Sequence, residues 1–308
     1  MMEKGCKYGT HRVIEPKGVL PQPATKISND MNIFDNEILI DVLALNIDSA
    51  SFTQIEEEAG HDIEKIKAKI IEIVAEKGKM QNPVTGSGGM LIGTVEKIGE
   101  ALDGKIDLKV GDKISTLVSL SLTPLKIEKI IDIKPDIDRV IIKGKAILFE
   151  SGLYAKLPKD MDENLALSAL DVAGAPAQVA KLVKPGQSVL LLGAAGKSGM
   201  ICCYEAVKRV GPTGNVIGLV RNEEEKARLK RLGLKMQIVV GDARNAIDVM
   251  NTTLAHNNGC EVDVAINMVN IPNTEMSSIL PVKDDGIVYF FSMSTSFTKA
   301  ALGAEGVG

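Results

Sequence analysis

Three glycines spaced by three, in Val189-Leu190-Leu191-Leu192-Gly193-Ala194-Ala195-Gly196-Lys197-Ser198-Gly199, are the residues of this chain best placed to do chemistry. The apolar run reads as a buried strand, the glycines as a tight turn, and the residues after Gly196 as the start of a helix. In that context Gly193 turns the chain, Gly196 lets backbone approach a pyrophosphate, and Gly199 lets the helix pack on the strand. The phosphate charge then meets the helix N-terminus. The spacing, G-x-x-G-x-x-G, is a variant of the G-x-G-x-x-G dinucleotide fingerprint. Gly196-Lys197-Ser198 imitates the end of a G-x-x-x-x-G-K-[ST] phosphate loop, but that motif needs glycine where Leu191 stands inside the strand. Phosphoryl transfer therefore fails on spacing, and Lys197 is left to approach a cofactor phosphate.

The end of the second strand normally separates the two nicotinamide cofactors. An acid there bonds the ribose 2′-hydroxyl, whereas an arginine accommodates a 2′-phosphate. Leu219-Val220-Arg221-Asn222 offers a cation and no acid, which favours NADP. Glu223 to Glu225 blunt that preference, because they can pair with Arg221 or bond the ribose. Asn222 also suits the cap of the next helix, with the glutamates complementing its dipole. The expected cofactor is NAD(P). Its expected binding set is Gly193, Ala194, Ala195, Gly196, Lys197, Ser198, Gly199, Arg221 and Asn222, completed by Asp242, Ala243, Asn267 and Met268.

The elements that must hold this turn alternate from about Leu165 onward. Strands are expected at 188–193, 215–220, 237–240, 262–266 and 286–291, with helices at 198–210, 223–232, 243–255 and 273–280. Near-continuously apolar strands separated by helices make a parallel sheet covered on both faces, the doubly wound α/β architecture. The first half reads as β-rich, with short apolar runs at 38–45, 91–98, 113–118 and 140–142 suggesting a small barrel or sandwich. One helix interrupts it. Ile63, Ile66, Ile70, Ile71 and Val74 form its apolar stripe, Glu56 to Glu58 precede it, and Gly78 stops it. Two domains follow, 1–165 and 166–308.

Bulk properties exclude several classes of function. The 308 residues carry a net charge of −4, which gives no electrostatic reason to expect nucleic acid or an anionic membrane. Four Tyr, six Phe and no Trp make poor stacking platforms for single strands. Cys6, Cys202, Cys203 and Cys260 are too scattered for a disulfide scaffold, and the adjacent pair reads as small packing residues on a helix. The first twelve residues lack the apolar core of a signal peptide, and no stretch approaches a spanning helix. A soluble, cytoplasmic protein is expected. His11, His61 and His256 are isolated and read as ordinary surface or packing histidines.

With the turn placed, its surroundings resemble the medium-chain dehydrogenase/reductase superfamily. Leu108-Lys109-Val110-Gly111-Asp112-Lys113-Ile114 is similar to its V-x-x-G-D-x-V turn, Gly93-Thr94-Val95-Glu96-Lys97-Ile98-Gly99 to its G-x-V-x-x-V-G strand, and Lys184-Pro185-Gly186-Gln187-Ser188-Val189-Leu190 to its K-P-G-x-x-V-L lead-in. The resemblance implies a GroES-like β-barrel catalytic domain ahead of the Rossmann domain, and a homodimer, since the superfamily commonly pairs its cofactor sheets. Lys7 to Val13, Gly86 to Met90 and Tyr289 to Met293 resemble the diaminohexanoate dehydrogenases of lysine fermentation within it. That implies a small diamino acid substrate, oxidised at its 3-amino group to a ketone and ammonia. Two departures stand out. Zinc-dependent members carry catalytic and structural cysteines, and this chain has none between Cys6 and Cys202, so no metal is expected. Gly60-His61-Asp62 is a near miss to their Gly-His-Glu, ahead of a helix rather than a barrel strand. The sequence also stops at Gly308, before the superfamily's sixth strand and its return to the catalytic domain, as if that tail were missing.

Without zinc, amine oxidation needs a base to leave the nitrogen neutral and negative charge to stabilise the developing iminium. Asp171, in Ala169-Leu170-Asp171-Val172, sits where zinc members place their second cysteine, and is the expected base or iminium stabiliser. Asn46 and Asp48 sit near the first cysteine position, and Asp48 is the expected anchor of the second ammonium. Both aspartates also suit structural roles, Asp171 as a helix cap and Asp48 in a turn. The rival readings are a zinc-free quinone or enoyl reductase of the same superfamily, and a non-catalytic nucleotide-binding relative.

Overall fold

Apolar runs and helical stripes sort the chain into two units, Met1–Asp171 and Val172–Gly308, in a computed structural model that describes residues 2–158, 160, 162–292 and 294–307. Met293, which ends one of the segments quoted above, lies outside the described residues. The division falls after the helix that follows residue 162. That helix stays with the first unit, because Leu167 packs on Met90 and Ile92.

Among the described residues the first unit pairs β1 (Val13–Glu15) with β2 (Lys26–Ile27) and builds one six-stranded antiparallel sheet. Its strands are β3 (Glu37–Asn46), β4 (Met90–Ile98), β5 (Lys113–Thr116), β6 (Leu125–Lys134), β7 (Arg139–Phe149) and β8 (Tyr154–Lys156), in the order β6-β7-β3-β4-β5-β8. Register shifts in β3 and β6 mark bulges that bend the sheet round its core. Ile40, Val42 and Leu45 alternate into that core with Leu91, Val140 and Ile142.

Two helices close this core where one was expected. α1 (Ser49–Glu58) buries Phe52 and Ile55 as its large apolar residues, too sparse a stripe to register as a helical period. Glu56 to Glu58, read as preceding a helix, are the last turn of α1. α2 (Ile63–Lys77) matches expectation in place, but its buried face is Ile66, Ile70, Ile73 and Val74, while Ile63 and Ile71 stay exposed. Asp62 caps it by accepting from Glu64 N at 2.9 Å and Lys65 N at 3.2 Å. It ends at Gly78 in the left-handed region, φ 75°, where a Cβ would collide with the Ile27 carbonyl. The unit closes with α3 (Glu163–Leu170).

The Lys7 to Val13 segment is tied down by a buried ion pair. Arg12 donates from Nε and Nη2 to Glu37 at 2.6 Å each, and from Nη1 and Nη2 to the carbonyls of Asp30 and Asn32. His11 Nδ1 accepts from Cys6 N, which leaves Nε2 to donate to Glu37 Oε1 at 2.9 Å. His11 is thus a satisfied packing residue.

The second unit follows the expected alternation. β9 (Ser188–Leu192), β10 (Asn215–Val220), β11 (Gln237–Val240), β12 (Val262–Asn267) and β13 (Val282–Phe290) form a parallel sheet in the order β11-β10-β9-β12-β13. Around it run α4 (Gly174–Leu182), α5 (Lys197–Val210), α6 (Glu223–Lys230), α7 (Ala246–Ala255), α8 (Glu275–Ile279) and α9 (Phe297–Glu305). Cys202 and Cys203 are buried on α5, and burial raises both thiols, Cys202 to about 12. Two boundaries differ from expectation in ways that matter. β13 begins at Val282 rather than 286, since Val262 already pairs with it. α7 begins at Ala246 rather than 243, because Asn245 takes the cap position, and 241–244 remain loop.

Candidate functional site

At the carboxyl ends of β9, β10, β11 and β12, four loops surround a cavity of about 530 Å³. Ligands of open parallel sheets bind at this end, where the strand order reverses about the first strand. β9 contributes Gly193 and Gly196, β10 contributes Leu219, Val220 and Arg221, and Glu225 reaches in from α6. Gly241, Asp242, Ala243 and Arg244 follow β11, and Met268, Val269, Asn270 and Ile271 follow β12.

The three glycines have different reasons to be glycine. Gly193 holds φ 78°, and a Cβ there would press the Met268 carbonyl carbon at 3.2 Å. Gly199 is buried in the first turn of α5, and a Cβ would lie 2.7 Å from the Ala194 carbonyl. Gly196 differs from both. Its backbone, φ −73° and ψ 173°, suits any residue, and a Cβ would meet only Gly193 O at 3.4 Å. Protein packing therefore does not require glycine at 196, whereas close approach of a ligand in the cavity would. Gly196 is also the cap of α5 and supplies no side-chain bond to its first N–H groups. A pyrophosphate fits this cradle by the chemistry of uncapped helix N-termini.

Two guanidinium–carboxylate pairs stand on the opposite wall. Arg221 Nε donates to Glu225 Oε1 at 2.7 Å, and Arg221 N donates to Oε2 at 2.9 Å. Burial alone would raise the Glu225 carboxyl, but these bonds outweigh it and hold the pKa below the usual range. Arg244 forks onto Asp242, Nε to Oδ1 at 3.0 Å and Nη2 to Oδ2 at 2.7 Å, drawing the Asp242 carboxyl down to about 2. Either carboxylate can accept from ribose hydroxyls, and either arginine can meet a 2′-phosphate.

Of the thirteen residues expected at the cofactor, Gly193, Gly196, Arg221, Asp242, Ala243 and Met268 line the cavity. Lys197, Ser198 and Gly199 form the first turn of α5 beside it, and Ala194 and Ala195 are buried beneath. Asn222 caps α6, its Oδ1 accepting from Glu225 N at 2.9 Å. Asn267 stands behind the wall. Its amide donates to Thr274 Oγ1 and Ser278 Oγ, and its Oδ1 accepts from Val269 N, so it braces the loop after β12. Glu225 pairs with Arg221, as the sequence allowed for Glu223 to Glu225, whereas Arg244 and residues 269–271 escaped the sequence reading. The same strand-end rule, carried two to four residues further, would have found them.

In the first unit, Asp48 caps α1 through Oδ1, which accepts from Ser51 N at 3.0 Å. Its Oδ2 is buried without a hydrogen-bond partner. Asp171 follows α3 directly, its N–H donating to Leu167 O. It does not cap α4, whose cap position is Ala173. His61 is exposed beside Glu56 at 3.4 Å, and His256 Nδ1 meets Thr252 O. Among the described residues no three His, Cys, Asp or Glu side chains lie at metal-binding geometry, and no helix is long and apolar enough to cross a membrane.

Residues 11–158 match the family model of the L-erythro-3,5-diaminohexanoate dehydrogenase N-terminal domain. An L-erythro-3,5-diaminohexanoate dehydrogenase from Acetoanaerobium sticklandii is 78% identical over 305 residues, covering 99% of this chain and 89% of that protein. Another from Fusobacterium nucleatum is 78% identical over 307 residues, covering 100% and 89%. Among solved structures, a mycobacterial quinone oxidoreductase at 17% identity covers 99% of this chain and 78% of its own, with a TM-score of 0.56. A quinone oxidoreductase of Pseudomonas syringae at 18% identity covers 88% and 71%, with a TM-score of 0.53. At such identities the likeness is of fold, and it is the medium-chain dehydrogenase/reductase fold of an antiparallel unit followed by a Rossmann unit. Sharing 78% of its residues along nearly its whole length with those two enzymes, the chain belongs to the L-erythro-3,5-diaminohexanoate dehydrogenase family.

Proposed function

We propose that this protein oxidatively deaminates L-erythro-3,5-diaminohexanoate to 5-amino-3-oxohexanoate and ammonia, with NAD(P) as oxidant, in lysine fermentation. The observation that carries the reading is the 78% identity spanning 99–100% of the chain. The glycine-lined cavity supports the cofactor class. We further read the enzyme as zinc-free, cytoplasmic and homodimeric. The lack of any cysteine between Cys6 and Cys202 supports the first point, and unpaired thiols at all four cysteines support the second.

When bound, the nicotinamide ring supplies the acceptor for the hydride that leaves C3 of the substrate. The chain's residues prepare that departure. Gly193, Gly196 and the first turn of α5 hold the pyrophosphate, and the wall of Arg221, Glu225, Asp242 and Arg244 holds the adenosine end. Asp171 accepts a proton from the 3-ammonium, so the nitrogen lone pair is free to form the C=N bond. Once that proton has passed on to water, the Asp171 carboxylate is negative again and favours the substrate iminium. Water then adds at C3 and ammonia leaves, so one substrate ammonium, one oxidised cofactor and one water give one ketone, one ammonium, one reduced cofactor and one proton. Asp48 anchors the 5-ammonium. Its Oδ2, shielded from water and without a partner, gains more from an ammonium than an exposed carboxylate would.

The test is spectrophotometric: wild-type protein with 3,5-diaminohexanoate and NAD or NADP, following absorbance of the reduced ring. Reduction with ammonia release in equal amount is expected. Absence of reduction with both cofactors overturns the reading. Asp171→Asn is expected to lower kcat roughly 100-fold or more, with cofactor affinity unchanged.

A further inference from the structure

A second buried arginine in the first unit contrasts with Arg12. Arg12 spends its Nε, Nη1 and Nη2 on Glu37 and two carbonyls. Arg139 is 6% exposed, yet its Nε meets no acceptor, and its guanidinium forms no hydrogen bond or ion pair among the described residues. A buried arginine left so is costly, because the Nε donor has lost water and gained no acceptor.

Strand register places Arg139 among candidate site residues. It pairs with Asn46 of β3, and Asn46 pairs with Met90 of β4. Paired residues share a face. The preceding pair, Leu45 and Val140, points into the main core, so Asn46, Arg139 and Met90 point to the other side. That is the side on which Leu167 of α3 packs against Met90. Asp48 follows two residues beyond Asn46, at the cap of α1. A guanidinium and a carboxylate thus share one end of the sheet, each with a buried unpartnered atom, and no ion pair joins them among the described residues. Burial draws the Arg139 pKa down, but Asp162 and Glu163 oppose this and favour the cation.

We propose that Arg139 is the residue that grips the substrate carboxylate, with Asp48 receiving the 5-ammonium at the same end of the sheet. The proposal rests on the diamino acid reading above. A 3,5-diamino acid carries its carboxylate at C1 and its second ammonium at C5, so its charges sit at opposite ends of a short chain. The unpaired guanidinium and carboxylate offer the complementary pattern, and a guanidinium fork holds a carboxylate by two parallel bonds. Among the described residues neither the Arg139 Nε nor the Asp48 Oδ2 has a hydrogen-bonded counter-ion, so a neutral or singly charged substrate would leave one of them buried and unmatched.

The experiment compares 3,5-diaminohexanoate with its primary carboxamide, which keeps both amines and loses the carboxylate. Isothermal titration into the cofactor-loaded protein is carried out with wild type, Arg139→Gln and Arg139→Lys. Wild type is expected to bind the acid roughly 100-fold more tightly than the carboxamide. Arg139→Gln is expected to abolish that preference by weakening the acid alone, with carboxamide binding within about twofold of wild type, and Arg139→Lys to restore part of it. Equal binding of the two ligands by wild type, or equal loss of both in Arg139→Gln, overturns the proposal. Should Arg139→Gln not fold, the wild-type preference and its reduction in Arg139→Lys decide. Binding heat needs no turnover, so failure of the functional reading appears separately, as absence of cofactor reduction by wild type.

Discussion

Gly196→Ala and Gly199→Ala place the same methyl group in opposite surroundings. At 199 the methyl lies 2.7 Å from the Ala194 carbonyl, so α5 must shift off the turn, and a loss of about 1–3 kcal/mol of stability is expected. At 196 it meets only Gly193 O at 3.4 Å and projects where phosphate approaches. That variant is expected to melt like wild type while its cofactor KM rises roughly tenfold or more. Thermal melts with cofactor titrations check both, and wild-type cofactor affinity in Gly196→Ala would remove 196 from the cradle. A second residue contrast concerns cofactor choice. Arg221 alone favours a 2′-phosphate, but Glu225 neutralises it at 2.7 Å. Glu225→Gln releases the arginine and removes a charge that repels phosphate. We expect kcat/KM for NADP to rise relative to NAD by roughly tenfold. Because Arg221 is exposed, stability should change by less than about 1 kcal/mol. An unchanged ratio would place the 2′ position elsewhere, with Arg244 next in line.

The anchor of the amino-terminal segment carries a prediction of its own at the level of elements. Burial would raise the Glu37 carboxyl, yet bonds from Arg12, His11 and the Phe34 amide outweigh it and hold the pKa below its ordinary 4.5. A depressed carboxyl stabilises the fold above its unfolded value, and that contribution drains away as pH falls below about 4.5 through the folded value. Glu37→Gln strips one partner from the buried Arg12 and is expected to cost about 3–5 kcal/mol at neutral pH. Denaturant unfolding at pH 7 and at successively lower pH is expected to show a gap between wild type and variant that narrows with acid. A constant gap would mean the carboxylate charge does not matter. Sequence showed neither this pair nor α1. The pair joins residues 25 apart through side chains, and α1 has Phe52 and Ile55 where a stripe needs four or five apolar residues. α2 and the cofactor strands were legible because their periods are long and their caps, Asp62 and Gly78, are standard. The start of α7 was misplaced because Ala243 continues the apolar pattern, and only the Asn245 cap ends the loop that carries Asp242 and Arg244.

For the whole molecule, the pattern of alternating strand and helix was enough to read the second unit, since parallel strands buried on both faces announce themselves as apolar runs. The proposed substrate end was harder to read, because Arg139 stands 91 residues from Asp48 and only the β3–β7 register brings their ends together. The same large-scale view bears on metal dependence. A zinc-dependent relative needs thiolates converging from its first unit, whereas here Cys6 sits in the first unit and Cys202, Cys203 and Cys260 in the second. Burial holds the Cys202 thiol up to about 12, so it stays protonated at neutral pH and is a poor ligand. On the proposed zinc-free reading the charge that stabilises the iminium is the carboxylate of Asp171, and carboxylates are indifferent to chelators. Dialysis against EDTA or 1,10-phenanthroline is therefore expected to leave kcat/KM for the diamino acid within about twofold, with under one-tenth equivalent of zinc by elemental analysis. Loss of activity on dialysis that returns with added zinc would overturn the zinc-free reading and move the search for the iminium stabiliser from Asp171 to the ligands of that ion.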